Sequence, residues 1–576
     1  MMFDENLLLI VICERDIQAT KGLLNELQKL SIPKNMKVDV QILQAFEGNL
    51  AAAYNAGMKA SNAKYRFFID ESARFLHQDL ILKVLSVFND IGTGVVGLYG
   101  SEMPLDGNFT KSKKRFGRYA HYEDISSAQG TISCGDNPLW RQNVHCLDGN
   151  FIAVSGDIEW DETVGDEFAA AALCTRYRKA GYRCVVPMQD TPWMIFGKSS
   201  VYFNQGNSPN FTIKAKQFYE KYWSIIQPMV SVLIPTYNQP KFFEKALKSA
   251  LEQTYRNIEI VIGDDSTNEE TKKLLELKYL SRYPQIRYFY HNGPLGGHGL
   301  KNIEFVLNHA DGEYISYLFH DDIYYPEKVK RMVECYEEDL SEHIGVVTSA
   351  RDIIDENGKV LGRFNPWQPM VDTILSSEQM AEGIFSCNSN FIGELTTVLL
   401  RKKFLRQERG ELSYRASVYC GVLDTELADV STFLEMCRPG RSCMFLSDTL
   451  SAFRIHSDQN TGKLGVVLGA LLEWLDYYVL SWLNNIYIYS EERLVRCFDT
   501  WYPGAVREFN KAMKLHEGEI MPESYVWCRA AFEAMEKQDY EKMVDLSISY
   551  MMSRAEDTSV LTRVCHKNEK GFWCKS

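Results

Sequence analysis

Two adjacent carboxylates, Asp321 and Asp322, end an apolar run in the segment YISYLFHDDIYYPEKV, residues 314–329. A buried strand that delivers carboxylates to its C-terminal edge is where α/β sheets place ligand chemistry. Two like charges side by side repel, so they need a cation, a hydrogen-bond network or solvent. A solvated turn, which favours Asp for local reasons, is the simpler alternative. Two more strand-like runs end in polar groups. VSVLIPTYN closes on Pro235, Thr236 and Tyr237, and NIEIVIGDD closes on Asp264 and Asp265. At a sheet's C-terminal edge such groups can hydrogen-bond and flank a nucleotide base, or merely finish a turn. Ser266 and Thr267 read as helix-capping residues. The Gly-rich HNGPLGGHGLKN, residues 291–302, is not a Walker loop, because no GK[ST] follows.

The elements that must position these residues alternate. A strand near residue 230 is followed by a helical pattern over 242–253, a strand over 257–265 and a helix over 268–280. Strands alternating with helices indicate a doubly wound parallel sheet. The first two hundred residues repeat the plan: a strand over 7–16, a helix over 19–30, a strand over 38–46. Residues 54–72 then parallel residues 300–322, each with an Asn near a helix start, a Tyr opening an apolar strand, and an acidic end. The expected organisation is therefore a tandem of related α/β domains, 1–200 and 229–461. A linker helix (201–228) joins them across the polar stretch NQGNSPN, and a helical region, 462–576, follows. The closing stretch from residue 557 is too mixed to assign.

A chain of 576 residues exceeds one ordinary core. Its 63 basic and 76 acidic residues give −13, which argues against bulk nucleic-acid binding. Fourteen cysteines without a CxxC pair read as reduced thiols. The N-terminal MMFDENLLLIVICERD lacks the basic flank and cleavage site of a signal peptide, and residues 465–489 read as an amphipathic helix because Glu473 and Asp476 interrupt them. A cytoplasmic protein is expected, with peripheral membrane contact left open.

The ordered pieces VSVLIPTYNQP, ALEQTYRNIEIVIGDDSTNEET, KNIEFVLNHADGEYI, HDDIYYPEKV and FRIH resemble a family 2 glycosyltransferase of the GT-A fold over residues 229–461. The resemblance implies an inverting sugar transfer from a nucleotide-sugar donor, UDP-linked, to an acceptor hydroxyl of a glycan, lipid or protein. Donor contacts are implied at Pro235, Thr236, Tyr237, Asp264, Asp265, Lys301 and Asp321. A divalent cation, Mn²⁺ or Mg²⁺, is implied at Asp321, Asp322 and His456, the last from FRIH. Asp429 of LADVSTFLEM aligns with the family's base, with Asp424 and Glu426 as neighbouring candidates. Two places depart from the family pattern: Phe319 stands where a carboxylate is usual, and Ala428 precedes Asp429. Residues 1–200 resemble, more distantly, glycosyltransferase-like domains of some antibiotic-biosynthesis proteins. There Ser72 stands where the second copy has Asp321, and alanines 169–172 stand where acids are expected, so a degenerate domain follows. The competing expectation is a catalytically dead nucleotide-sugar-binding scaffold, a partner subunit of a glycan-assembly system. A nucleotidyltransferase is disfavoured for want of a Gly- and Lys/Arg-rich N-terminal loop. Homo-oligomerisation stays open.

Overall fold

The computed structural model describes residues 3–44, 49–90, 92–104, 112, 114–122, 130–134, 136, 141–197, 211–339, 341–364, 371–407, 414–423, 426–456, 462–555 and 558–576. It divides into two compact units, residues 1–228 and 229–576.

The first unit is built on strands β1 (Asp4–Glu14), β2 (Lys37–Gln44), β3 (Ala63–Asp70), β4 (Thr93–Gly97), β5 (Arg141–Val144), β6 (Phe151–Ser155) and β7 (Arg183–Pro187), ordered β2-β1-β3-β6-β4-β7-β5. The second is built on β8 (Val230–Thr236), β9 (Ile258–Asp264), β10 (Ile286–Tyr290), β11 (Tyr314–Tyr317), β12 (Ile323–Tyr324), β13 (Ile344–Ile354), β14 (Leu399–Arg401) and β15 (Ser442–Arg454), ordered β10-β9-β8-β11-β14-β13-β15-β12. In the first unit β6 is the antiparallel strand inserted between β3 and β4. In the second, β14 is inserted the same way between β11 and β13. The series β2-β1-β3-β6-β4-β7 thus repeats, in order and direction, as β9-β8-β11-β14-β13-β15. The tandem α/β architecture expected from the sequence is the one found.

Central strands of such sheets are covered on both faces and read as unbroken apolar runs. Every residue of β8 is buried, as VSVLIPT suggests. The helix Pro240–Leu251 starts with proline at its first turn, where the missing N–H costs nothing. It buries Phe243, Ala246, Leu247 and Ala250, a one-sided stripe against the sheet. Gly263 in β9 lets the helix Leu300–Asn308 close in, because a Cβ there would collide with Asn302 Oδ1.

Two short pairings fix the functional edge. β12 runs antiparallel to the end of β15, with Ile323 opposite Ala452. Residues 321–324 are thereby brought beside 451–456.

The helices Leu464–Leu483, Glu491–Leu515, Ser524–Glu536 and Tyr540–Arg554 belong to the second unit. Their apolar residues form one continuous core with Leu233, Val261, Ile315 and Phe433. Leu464–Leu483 is long and apolar enough to cross a membrane, and most of its apolar window is buried among the other elements. The closing stretch, unassignable from sequence, forms a short helix (Ser559–Thr562) and a hairpin of Cys565–Lys567 with Trp573–Lys575. The expected connecting helix, Phe211–Ile226, packs into the first unit, stacking Phe218 on Phe168 of the helix Asp166–Lys179 at 5.2 Å. NQGNSPN lies outside the described residues.

Candidate active site

β8 and β9 end side by side, Thr236 opposite Asp264. Asp264 is fully buried and internally satisfied: its carboxylate accepts from Ser266 N at 2.9 Å and from the Tyr288 hydroxyl at 2.7 Å. Asp265 differs. One carboxylate oxygen accepts from Leu295 N at 3.3 Å, while Oδ1 is buried without a partner, and burial raises the carboxyl's pKa. Thr236 Oγ1 and His291 Nε2 are buried and unpartnered as well. Buried polar atoms are nearly always hydrogen-bonded, so a cluster of orphans at one strand edge marks the place of a ligand. Tyr237 is exposed beside them. The Gly-rich loop follows a left-handed path, with Gly293, Gly296, Gly297 and Gly299 all at positive φ, and delivers Lys301 exposed in the first turn of Leu300–Asn308.

The capping roles expected for Ser266 and Thr267 do not hold. The next helix, Glu270–Lys278, has Glu269 at its N-cap. Ser266 Oγ accepts instead from Asn238 N at 2.9 Å, and Thr267 Oγ1 accepts from Asn238 Nδ2 at 3.0 Å. Hydroxyls serve nearby backbone in several geometries, and here they latch the loops after β8 and β9 together.

At the end of β11 the paired aspartates part. Asp321 is half-buried, and its Oδ2 lies 3.0 Å from His456 Nε2. The His456 ring rests on Phe242, centroids 5.1 Å apart. Asp322 is buried: its Oδ1 accepts from Arg454 N at 3.1 Å, and burial together with the Asp321 charge pushes its pKa well up. Arg454 Nε donates to the Asp321 carbonyl at 2.7 Å. Phe319, standing where a carboxylate is usual, packs against the core near Tyr317. Burial lowers the pKa of His320, whose ring meets the Pro235 backbone, and so favours the neutral imidazole. No group of three His, Cys, Asp or Glu residues with metal-holding geometry exists among the described residues. An oxygen and an imidazole nitrogen side by side still fit a hard divalent cation of the kind that keeps few protein ligands and completes its shell on phosphate.

Asp429 stands in the first turn of Ala428–Met436, whose N-cap is Leu427, so it is not the cap itself. Its Oδ2 accepts from Asn390 Nδ2 at 2.6 Å and its Oδ1 from Val430 N at 2.8 Å. Burial raises its pKa to about 6, helped by the nearby Glu394 charge. Glu394 is itself ion-paired with Arg351 at 2.5 Å. The segment carrying Asn390 and Glu394 also carries Thr396, whose hydroxyl accepts from Phe319 N at 3.2 Å. It bridges the two acidic ends, Asp429 on one side and the 319–322 turn on the other. Sequence reasoning missed Asn390, Glu394, Thr396 and Arg351, which sit in stretches without a family motif. Glu426 is half-buried next to Gly469, and Asp424 lies outside the described residues.

The corresponding edge of the first unit is filled from within. Arg15, just past β1, pairs with Asp70 at 2.5 Å and with Glu71 at 3.4 Å. Asp166, in the first turn of its helix, accepts from Leu50 N at 2.8 Å, and Glu167 pairs with Lys214 at 2.7 Å. The four alanines 169–172 are core residues.

Residues 9–219 match the model of a "Glycosyltransferase like family", and residues 231–393 match "Glycosyl transferase family 2". An uncharacterized glycosyltransferase of Rickettsia conorii is 37% identical over 153 residues, 26% of this chain and 23% of that protein. Protein CgeD of Bacillus subtilis is 38% identical over 112 residues, 18% of this chain and 25% of that protein. The chain spans only 23% of the first of these relatives and 42% of a Rickettsia typhi one. Among solved structures, S. aureus TarS residues 1–349 with UDP-GlcNAc gives a TM-score of 0.33 at 14% identity, covering 60% of this chain and 96% of that one. Residues 231–393 thus carry a family 2 glycosyltransferase domain, and residues 9–219 carry a glycosyltransferase-like domain.

Proposed function

We propose that residues 229–461 transfer a sugar from a UDP-linked donor to an acceptor hydroxyl with inversion, using Asp429 as general base. The observation that carries this reading is the raised pKa of Asp429, about 6, in a site that also holds orphaned donor-side groups. A carboxylate tuned towards neutrality accepts a proton far better than one at its ordinary value. Glu394 is a weaker candidate, because its charge is already neutralised by Arg351.

Thr236 and Asp265 bind the nucleoside, and Tyr237 flanks its base. Lys301 lies towards the diphosphate. Asp429 takes the acceptor hydroxyl's proton as that oxygen bonds to the anomeric carbon from the face opposite the diphosphate. The carbon–oxygen bond to the diphosphate breaks, and its electron pair leaves with the nucleoside diphosphate. Asp321 and His456 would hold a divalent cation, which would supply positive charge against the leaving group. Asp322 shapes the turn through Oδ1, which accepts from the Arg454 amide, while its buried and unpartnered Oδ2 is left for the cation.

In the first unit the Arg15 guanidinium occupies the carboxylates, and the helix-start acids are engaged elsewhere, which supports a domain without transfer chemistry.

The test is transfer from a panel of nucleotide sugars with Mn²⁺. Asp429→Asn is expected to lower kcat by ~10²–10⁴-fold while UDP still binds. Asp321→Ala is expected to abolish EDTA-sensitive turnover. Donor binding without turnover in wild type would favour the scaffold reading, which the apolar Phe319 at the metal edge supports.

A further inference from the structure

The helical layer after residue 462 reaches into the site through one buried carboxylate. Glu473, on the helix Leu464–Leu483, has no solvent exposure. Burying a charge is costly unless it is paired and hydrogen-bonded. Glu473 accepts from Leu427 N at 2.7 Å and from Glu426 N at 3.1 Å, and pairs with Arg554 at 2.9 Å. Arg554 also engages the buried Asp476, which accepts from the Ser547 hydroxyl at 2.9 Å. One turn on from Glu473, the Tyr477 hydroxyl donates to the Leu427 carbonyl at 2.8 Å. Both backbone polar groups of Leu427 are therefore held by the same distant helix.

Leu427 is the N-cap of the helix that carries Asp429, and its own side chain supplies no capping bond. The backbone that sets the direction of this helix is fixed from outside. Gly469 allows the close approach, because a Cβ there would meet Glu426 Cγ at 2.8 Å.

We propose that Glu473 is a positioning residue for the Asp429 base, with Arg554 and Tyr477 as its supports, so that the C-terminal helices are part of the catalytic apparatus. This rests on the reading of Asp429 as the base. The clamp holds the two residues before Ala428 and thereby sets where the Asp429 carboxylate meets the acceptor. Misplacing a reacting group by about 1 Å costs on the order of 10²-fold in rate.

The experiment uses the full chain and compares wild type, Glu473→Gln, Tyr477→Phe, Asp429→Asn and the double variant Glu473→Gln/Asp429→Asn. Steady-state transfer, UDP binding and thermal unfolding are measured for each. Glu473→Gln is expected to lower kcat at least ~10-fold, with donor KM and UDP affinity within about twofold of wild type. On the Asp429→Asn background it is expected to cost nothing further, because a residue that acts only through the base has nothing left to position. Tyr477→Phe keeps the volume, serves if Glu473→Gln fails to fold, and is expected to show the same pattern at a few-fold loss. Full activity of either folded variant beside an inactive Asp429→Asn overturns the proposal. So does a loss that adds to that of Asp429→Asn, which would mark a general structural role. An Asp429→Asn protein with wild-type turnover overturns the base assignment itself, a result separable from the other two.

Discussion

Asn390→Asp tests the tuning of the base with almost no change of shape. Asn390 Oδ1 accepts from Ile392 N and Gly393 N, both at 3.1 Å, and an aspartate oxygen there can do the same. What changes are the two hydrogen bonds that Asn390 Nδ2 donates, at 2.8 Å to the Gly393 carbonyl and at 2.6 Å to Asp429 Oδ2, the second of which favours the charged carboxylate. In wild type, kcat/KM should fall on the acid side with a midpoint at about pH 6, since a base pushed up to about 6 must be ionised to act. A hydrogen bond to a charged group is worth about 1.5–3 kcal/mol. At ~1.36 kcal/mol per pH unit, its loss moves the midpoint up by about one to two units, and the added like charge pushes in the same direction. The variant should be nearly inactive at pH 6 and regain most of its rate by about pH 9, once both carboxylates have ionised. The assay is initial-rate transfer across pH 5–9 at saturating Mn²⁺, with thermal unfolding at each pH as a control. An unmoved midpoint, or a loss equal at every pH, would refute the assignment of Asp429 as the titrating base.

Two further outcomes concern binding and packing. Asp265→Ala should weaken UDP by about 10–100-fold, as for a buried acceptor deprived of its ligand bond, leaving the acid limb of the rate profile in place; titration calorimetry reads this directly. Gly263→Ala should destabilise the second unit by ~1–3 kcal/mol, because the new methyl group collides with Asn302, and a lower urea midpoint with unchanged slope is the expected sign.

The strand ends were legible because β8, β9 and β11 are covered on both faces, so their apolar runs stop where the sheet meets solvent. Asp321, Asp265 and Asp429 sit at such stops or at a helix start, where residue type and spacing suffice to find them. The repeat of strand order was visible for the same reason. Asn390 and Glu473 were not legible. They reach Asp429 and Leu427 across 39 and 46 residues, through packing that leaves no periodic trace. Ser266 and Thr267 were misread because a hydroxyl two or three residues past a strand has several partners within reach, and only the neighbouring loop decides among them. The terminal hairpin escaped because its strands are three residues each, too short for an alternation to stand out.

The pairing of β12 with β15 has a consequence for how the protein is made. Asp321 and His456 are 135 positions apart, and the short β12 pairs with residues 451 and 452 near the end of β15. Closing a loop of that length costs about 4 kcal/mol in chain entropy, met only when β15 has docked against β13 along its length. The edge that carries Thr236 and Asp265 closes over shorter separations: β8 pairs with β9 and β11, and Asn302 donates to the Gly263 carbonyl. In chain order the Thr236–Asp265 edge therefore precedes the Asp321–His456 edge by more than a hundred residues. The Asp321–His456 pair comes last in that order, on the strand whose end β12 joins.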